Sequence, residues 1–236
     1  LVFGLLLLKV LTLHAFNVTF LSLLERHDAS KIVPLQNLSP LMLLLLASVF
    51  LHETVSLINI VGIMVIIFST YYLEVIGSHH HRRSPHGHYL DFLSGLDWKF
   101  FAKILFMMFT ISCTAILDRL ILAEIGIFTN LFFTYVLTII VFGAFLWYVK
   151  ELSFTFRNLA KMPSIAISGV FVFLSVFFVF SALSIPDAFV SLIIPVKRTS
   201  TLMAAFFAGL IFHEAHMSKK LMSIVIMLAG VVLVSL

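Results

Sequence analysis

Lys197 and Arg198 stand side by side inside the apolar stretch Ser184 to Glu214, SIPDAFVSLIIPVKRTSTLMAAFFAGLIFHE. The stretch is long enough to cross a bilayer. Counted from Asp187, the two cations lie roughly 15 Å along a helix, near the middle of a hydrocarbon layer about 30 Å thick. A charge at that depth costs a few kcal/mol to insert, so it is rarely accidental. Facing a water-filled cavity, the pair would hold a carboxylate or a phosphate, and arginine can do so bidentately. Adjacent helical residues point about 100° apart, so one of the two can face the cavity without the other. The alternatives are an internal ion pair or snorkelling to the interface. The sequence suggests no carboxylate at matching depth, and mid-membrane is too deep for snorkelling.

An earlier stretch, ERHDASKIVPLQNLSPLMLLLLASVFLHE, reads like a copy. With Pro34 set against Pro195, Gln36 meets Lys197, Asn37 meets Arg198 and Ser39 meets Ser200. His52-Glu53 then meets His213-Glu214 without a gap. Gln36, Asn37 and Ser39 are therefore candidates for neutral hydrogen bonds to the same solute, with contacts between helices as the other reading. Lys9, His14 and Asn17 stand on the first apolar segment. His14 and Asn17 share a helix face, and His14 could titrate near neutral pH or simply pack. Asp118-Arg119 ends another segment and reads as a local interfacial pair. The two glutamates, Glu53 and Glu214, read as helix-end residues whose carboxylates satisfy backbone donors or a neighbouring helix.

The elements that must position these residues are helices in a membrane. Of 236 residues, 61% are hydrophobic and only 11% charged, against about 25% charged in an ordinary soluble domain. The mean hydropathy is +1.15. Eight apolar segments run approximately 1–24, 30–51, 55–75, 98–120, 125–149, 164–184, 187–212 and 219–236. None shows the alternation of a β-barrel strand, so an all-α, polytopic membrane fold is expected, with eight transmembrane helices. Short connections force antiparallel neighbours. Five crossings separate His52-Glu53 from His213-Glu214, which puts them on opposite sides and makes the repeats inverted. That placement also argues against one catalytic or metal site built from both pairs. The motif HEAH lacks the spacing of HExxH.

The longest polar interruption, residues 76–97, carries His79, His80, His81, His86 and His88 and divides the chain into 1–75 and 98–236. Imidazoles bind zinc or nickel, so these five are weak metal candidates; a solvated linker is the plainer reading. The single cysteine, Cys113, excludes an intramolecular disulfide and reads as a packing residue. The basic balance sits mainly in short loops, where membrane topology explains it without nucleic acid.

The stretches LSPLMLLLLASVFLHETVSLINIVGIMVII and VKRTSTLMAAFFAGLIFHEAHMSKKLMSIVIMLAGVVLV resemble the signature of the drug/metabolite transporter superfamily, EamA-type. In that signature a helix with a central Pro or Ser/Thr leads into an apolar run ending in Glu, and a helix with Gly follows. The resemblance covers nearly the whole chain. It implies a basket of ten helices in two inverted halves of five, moving a small metabolite. Here three helices precede the divider and five follow, and the chain opens LVFGLLLLKV without Met. The first two helices of the pattern are missing, and a fragment or a truncated relative is expected. The Lys-Arg pair also resembles the phosphate-holding pair of the sugar-phosphate and nucleotide-sugar branch.

No P-loop is visible, so a gradient or exchange would drive transport and no cofactor is expected. The expected function is secondary transport of a small polar or anionic metabolite through a cytoplasmic membrane. A membrane enzyme, a non-transporting membrane protein and a metal-responsive protein using the His-rich stretch are the alternatives. The expected partners are a small-molecule substrate and the lipid bilayer, and a homodimer is compatible with both. The loops near Arg26/Lys31, Arg82/Arg83, Lys150/Arg157/Lys161 and Lys219/Lys220 hold nine of the fifteen Lys and Arg. The positive-inside rule places that side in the cytoplasm and the C-terminus outside, whereas the family pattern implies a cytoplasmic C-terminus.

Overall fold

The computed structural model of the chain describes residues 2–26, 32, 35–36, 38–78, 98–148, 163–186, 188–211 and 217–235. Pro34, Asn37, the five histidines of the 76–97 stretch and Glu214 lie outside the described residues, as does the side chain of Arg198. The described residues contain eight helices and no strand. They are α1 (Val2–Leu24), α2 (Ser39–Phe50), α3 (Leu57–Ser78), α4 (Trp98–Glu124), α5 (Ile127–Tyr148), α6 (Pro163–Leu183), α7 (Val190–Ile211) and α8 (Met217–Ser235). Among them, Val2–Leu24, Trp98–Glu124 and Ile127–Phe145 are long and apolar enough to cross a membrane. Large apolar side chains point outward: Phe3, Ile139 and Phe171 are each more than 60% exposed, as lipid-facing residues would be.

One detail differs from the sequence expectation. The segment expected over 30–51 meets a turn at Leu38, and α2 runs from Ser39. Pro40 sits in its first turn, where the missing N–H is no loss. Pro195 lies inside α7, which runs through it from Val190 to Ile211. Proline still offers no N–H to the carbonyl one turn earlier, that of Ser191.

The helices pack through four apolar clusters. One joins α2, α4, α5, α6 and α7 through Leu43, Ile116, Leu131, Phe180 and Val190. Another, around Leu23, Ile104 and Met107, joins α1 to α4. These two helices run antiparallel: Thr12 meets Thr114 at 3.0 Å, and Lys103, early in α4, donates at 2.7 Å to Ser22, late in α1.

The most closely apposed helices are α3 and α8. Asn59, early in α3, donates at 2.9 Å to the carbonyl of Val234, late in α8. Ser69, late in α3, bonds the carbonyl of Ser223, early in α8. The two helices therefore cross antiparallel. Between these fastenings they touch backbone to backbone. A Cβ on Gly62 would lie 2.8 Å from the Gly230 carbonyl oxygen, and one on Gly230 would lie 3.0 Å from that of Gly62. Only hydrogen fits there, the usual device for close approach of membrane helices.

Candidate functional site

Helix α1 carries a lysine among apolar neighbours, and the fold provides for it. Lys9 is 2% exposed. Its Nζ donates at 2.7 Å to Thr134 Oγ1 and at 3.0 Å to Asn130 Oδ1, both on α5. It also lies 2.6 Å from Asp118 Oδ1 on α4 and 4.8 Å from the centroid of the Phe180 ring on α6. Thr134 Oγ1 donates in turn to Asn130 Oδ1 at 3.1 Å, which fixes the amide's orientation. Four helices thus converge on one ammonium group, deep in a bundle where an unpaired charge would be costly.

The network is incomplete in one respect. Among the described residues, the buried side-chain atoms without a hydrogen-bond partner are Asp118 Oδ1, Asn130 Nδ2 and Thr138 Oγ1. Asp118 faces Lys9, Asn130 bonds it, and Thr138 follows Asn130 and Thr134 at four-residue spacing on the same face of α5. Asp118 and Lys9 attract by charge, but Oδ1 accepts no aligned hydrogen bond. Buried polar atoms elsewhere in folded proteins are nearly always satisfied, so these orphans make the surroundings of Lys9 the candidate site.

This corrects two sequence expectations. Asp118 and Arg119 do not form a local pair. Asp118 turns inward to Lys9, while Arg119 donates to the carbonyls of Leu183 and, at 3.2 Å, Ile185. A carboxylate also stands within reach of the α7 cation, since Lys197 acts electrostatically on Asp118. Lys197 itself is exposed, and Ser200 bonds back to the Lys197 carbonyl at 2.8 Å. Ser39 is buried, with its carbonyl accepting from Ser112 Oγ at 3.3 Å. Gln36 and Asn17 are half-buried. His14 lies edge-on against Phe142 and Phe145, with centroids 5.6 and 4.9 Å away. Cys113 is free and half-buried. Among the described residues no cluster of three or more His, Cys, Asp or Glu could hold a metal.

Sequence spacing singles out Lys9 without giving it a partner, and it does not single out Asn130 or Thr134. The signal is nonetheless present: one lysine in an apolar helix demands an acceptor, and α5 offers Asn130, Thr134 and Thr138 on one stripe.

A second constellation ties α2 to α7. After α2 the backbone takes a left-handed turn at His52 (φ 53°), and Glu53 swings toward the start of α7. Its carboxylate accepts from Val190 N at 2.7 Å, from Ser191 N at 3.1 Å and from Ser191 Oγ. A carboxylate on the first amides of a helix meets donors with no intrahelical partner and the positive end of the helix dipole.

An all-helical bundle with an apolar exterior and an internal ion pair defines a multi-pass integral membrane protein. More particularly, the chain belongs to the EamA-like transporter family, whose model matches residues 2–74 and 99–236. Among curated proteins no match is found.

Proposed function

We propose that the chain is a secondary transporter of a small polar or anionic metabolite, working by alternating access between two inverted repeats in a cytoplasmic membrane. Family membership supports transport over enzyme chemistry. The observation that carries the site is the set of orphaned polar atoms around the buried Lys9–Asp118 pair. A packed core gains nothing from unsatisfied polar atoms, whereas a polar solute could accept from Asn130 Nδ2 and donate to Asp118 Oδ1. Two features support the repeat. The equivalent last helices of the halves, α3 and α8, cross antiparallel at Gly62 and Gly230. The matched stretches also stop at residue 74 and resume at 99, around the His-rich divider.

In this reading Lys197 and Arg198 on α7, with Ser200, draw the anion in. Gln36, Asn37 and Ser39, their counterparts in the other repeat, would add neutral hydrogen bonds, and His14 and Asn17 would do so from α1. The test is uptake by vesicles carrying the full chain, presented with a defined mixture of small carboxylates, phosphate esters and amino acids read by mass spectrometry. One class should accumulate, and Lys197→Gln or Arg198→Gln should abolish it with expression intact. Unchanged uptake in both variants would sink the role of these cations.

A further inference from the structure

The buried pair is asymmetric in how its partners are held. Lys9 has two aligned hydrogen bonds to α5, at 2.7 and 3.0 Å. Asp118 has none from Oδ1 and is kept in place by charge. If the charge on Asp118 vanished, Lys9 would stay bound to α5 while α4 lost its charge link to the Lys9 cluster, keeping its Thr114 and Lys103 bonds to α1. Burying two ions costs more than a well-packed apolar pair, so stability alone is a weak reason for a bilayer protein to keep them.

We propose that Asp118 is a proton-binding site with Lys9 as its internal counter-ion, so that taking up one proton breaks the charge link between α4 and the Lys9 cluster on α1 and α5. The proton comes from water and goes to the carboxylate; Lys9 remains an ammonium on Asn130 and Thr134. The groups facing Asp118 are few. From α1 comes Lys9, from α7 Lys197, from α5 the neutral Asn130 and Thr134, and from α6 the Phe180 ring. Helix α2, Ser39–Phe50, has no ionisable side chain. Arg119, next in the chain, is turned to the carbonyls of Leu183 and Ile185. Protonation therefore trades one attraction to Lys9 and a weaker one to Lys197 for a neutral carboxyl that can donate. The consequence for coupling, with the proton as the driving ion, rests on the transporter reading; proton binding itself does not.

The experiment is infrared titration of the full chain in lipid, following the carbonyl band of a protonated carboxyl. The wild type should show a band that titrates. Asp118→Asn should remove it, and Asp118→Glu should restore it at a shifted frequency. Lys9→Gln should raise the protonated fraction relative to the ionised one about tenfold or more at a given pH, because the cation favouring the charged form is gone. Lys9→Arg should leave the midpoint in place, and Lys9→Met replaces Lys9→Gln if the latter misfolds. The absence of a titrating band assignable to Asp118 overturns the proposal, as does a midpoint indifferent to loss of the Lys9 charge. A titrating Asp118 in a protein that moves no solute would defeat the transporter reading alone, and a fixed Asp118 in a working transporter would defeat only the proton site.

Discussion

The carboxylate of Glu53, at the exit of α2, binds both the backbone N–H and the hydroxyl of Ser191, in the first turn of α7. The two residues stand 138 positions apart, one on each side of the His-rich divider. Their contact is made by a charged acceptor 8% exposed, so its loss leaves several buried donors empty. Glu53→Ala is expected to lower stability by about 1–3 kcal/mol. Glu53→Gln should cost less, since one oxygen still accepts. Thermal unfolding of the purified protein in detergent, followed by size-exclusion chromatography, measures both. Equal midpoints for wild type and Glu53→Ala would remove the cap from the account.

The glycine crossing yields a graded test. Gly62→Ala places a Cβ 2.8 Å from the Gly230 carbonyl oxygen and equally close to the Val234 backbone N, so α3 and α8 must separate. Gly62→Val should do worse. Gly143 in α5 has open space where a Cβ would sit, with nothing within 4 Å, so Gly143→Ala should be neutral or mildly stabilising. The same melting measurement ranks the three variants.

The buried ion pair should show strong non-additivity. Lys9→Met leaves Asp118 without its counter-charge, and Asp118→Asn leaves Lys9 without its own. Breaking a buried pair from one side costs about 3–5 kcal/mol. The double variant Lys9→Met/Asp118→Asn should recover much of the loss, because no lone charge remains. A double variant as unstable as the sum of the two singles would show that the partners do not interact.

Asn59 fastens the end of α8. Its amide donates to Val234 O at 2.9 Å, and removing it leaves that carbonyl unpaired by a side chain. Asn59→Leu should increase hydrogen exchange at the last residues of α8 and leave exchange near Ser223 unchanged, where Ser69 holds the helix.

Much of the fold is legible in the sequence because bilayer helices announce themselves by length and hydropathy. All eight apolar segments correspond to helices, and Ser39, placed by the Pro-to-Glu alignment, starts α2. The core of the site is less legible, for a definite physical reason. Lys9, Asp118 and Asn130 lie on three helices, and sequence spacing reports only neighbours on one helix. Asp118 beside Arg119 looks like a pair because adjacency is visible in a sequence, but adjacent helical residues point about 100° apart and here find different partners. Pro195 lies inside a continuous helix, as membrane helices tolerate where their neighbours satisfy the freed backbone.

Lys9 also bears on how the protein is made. Its α5 acceptors, Asn130 and Thr134, are 121 and 125 residues further along the chain. When α1 leaves the ribosome none of them has been synthesised, and a lone ammonium in hydrocarbon costs about 2.5–3.5 kcal/mol on insertion scales. The apolar residues of α1 offset that cost, so the helix can cross first with its lysine unpaired. The partners that quiet the charge come only with α4 and α5, about a hundred residues later.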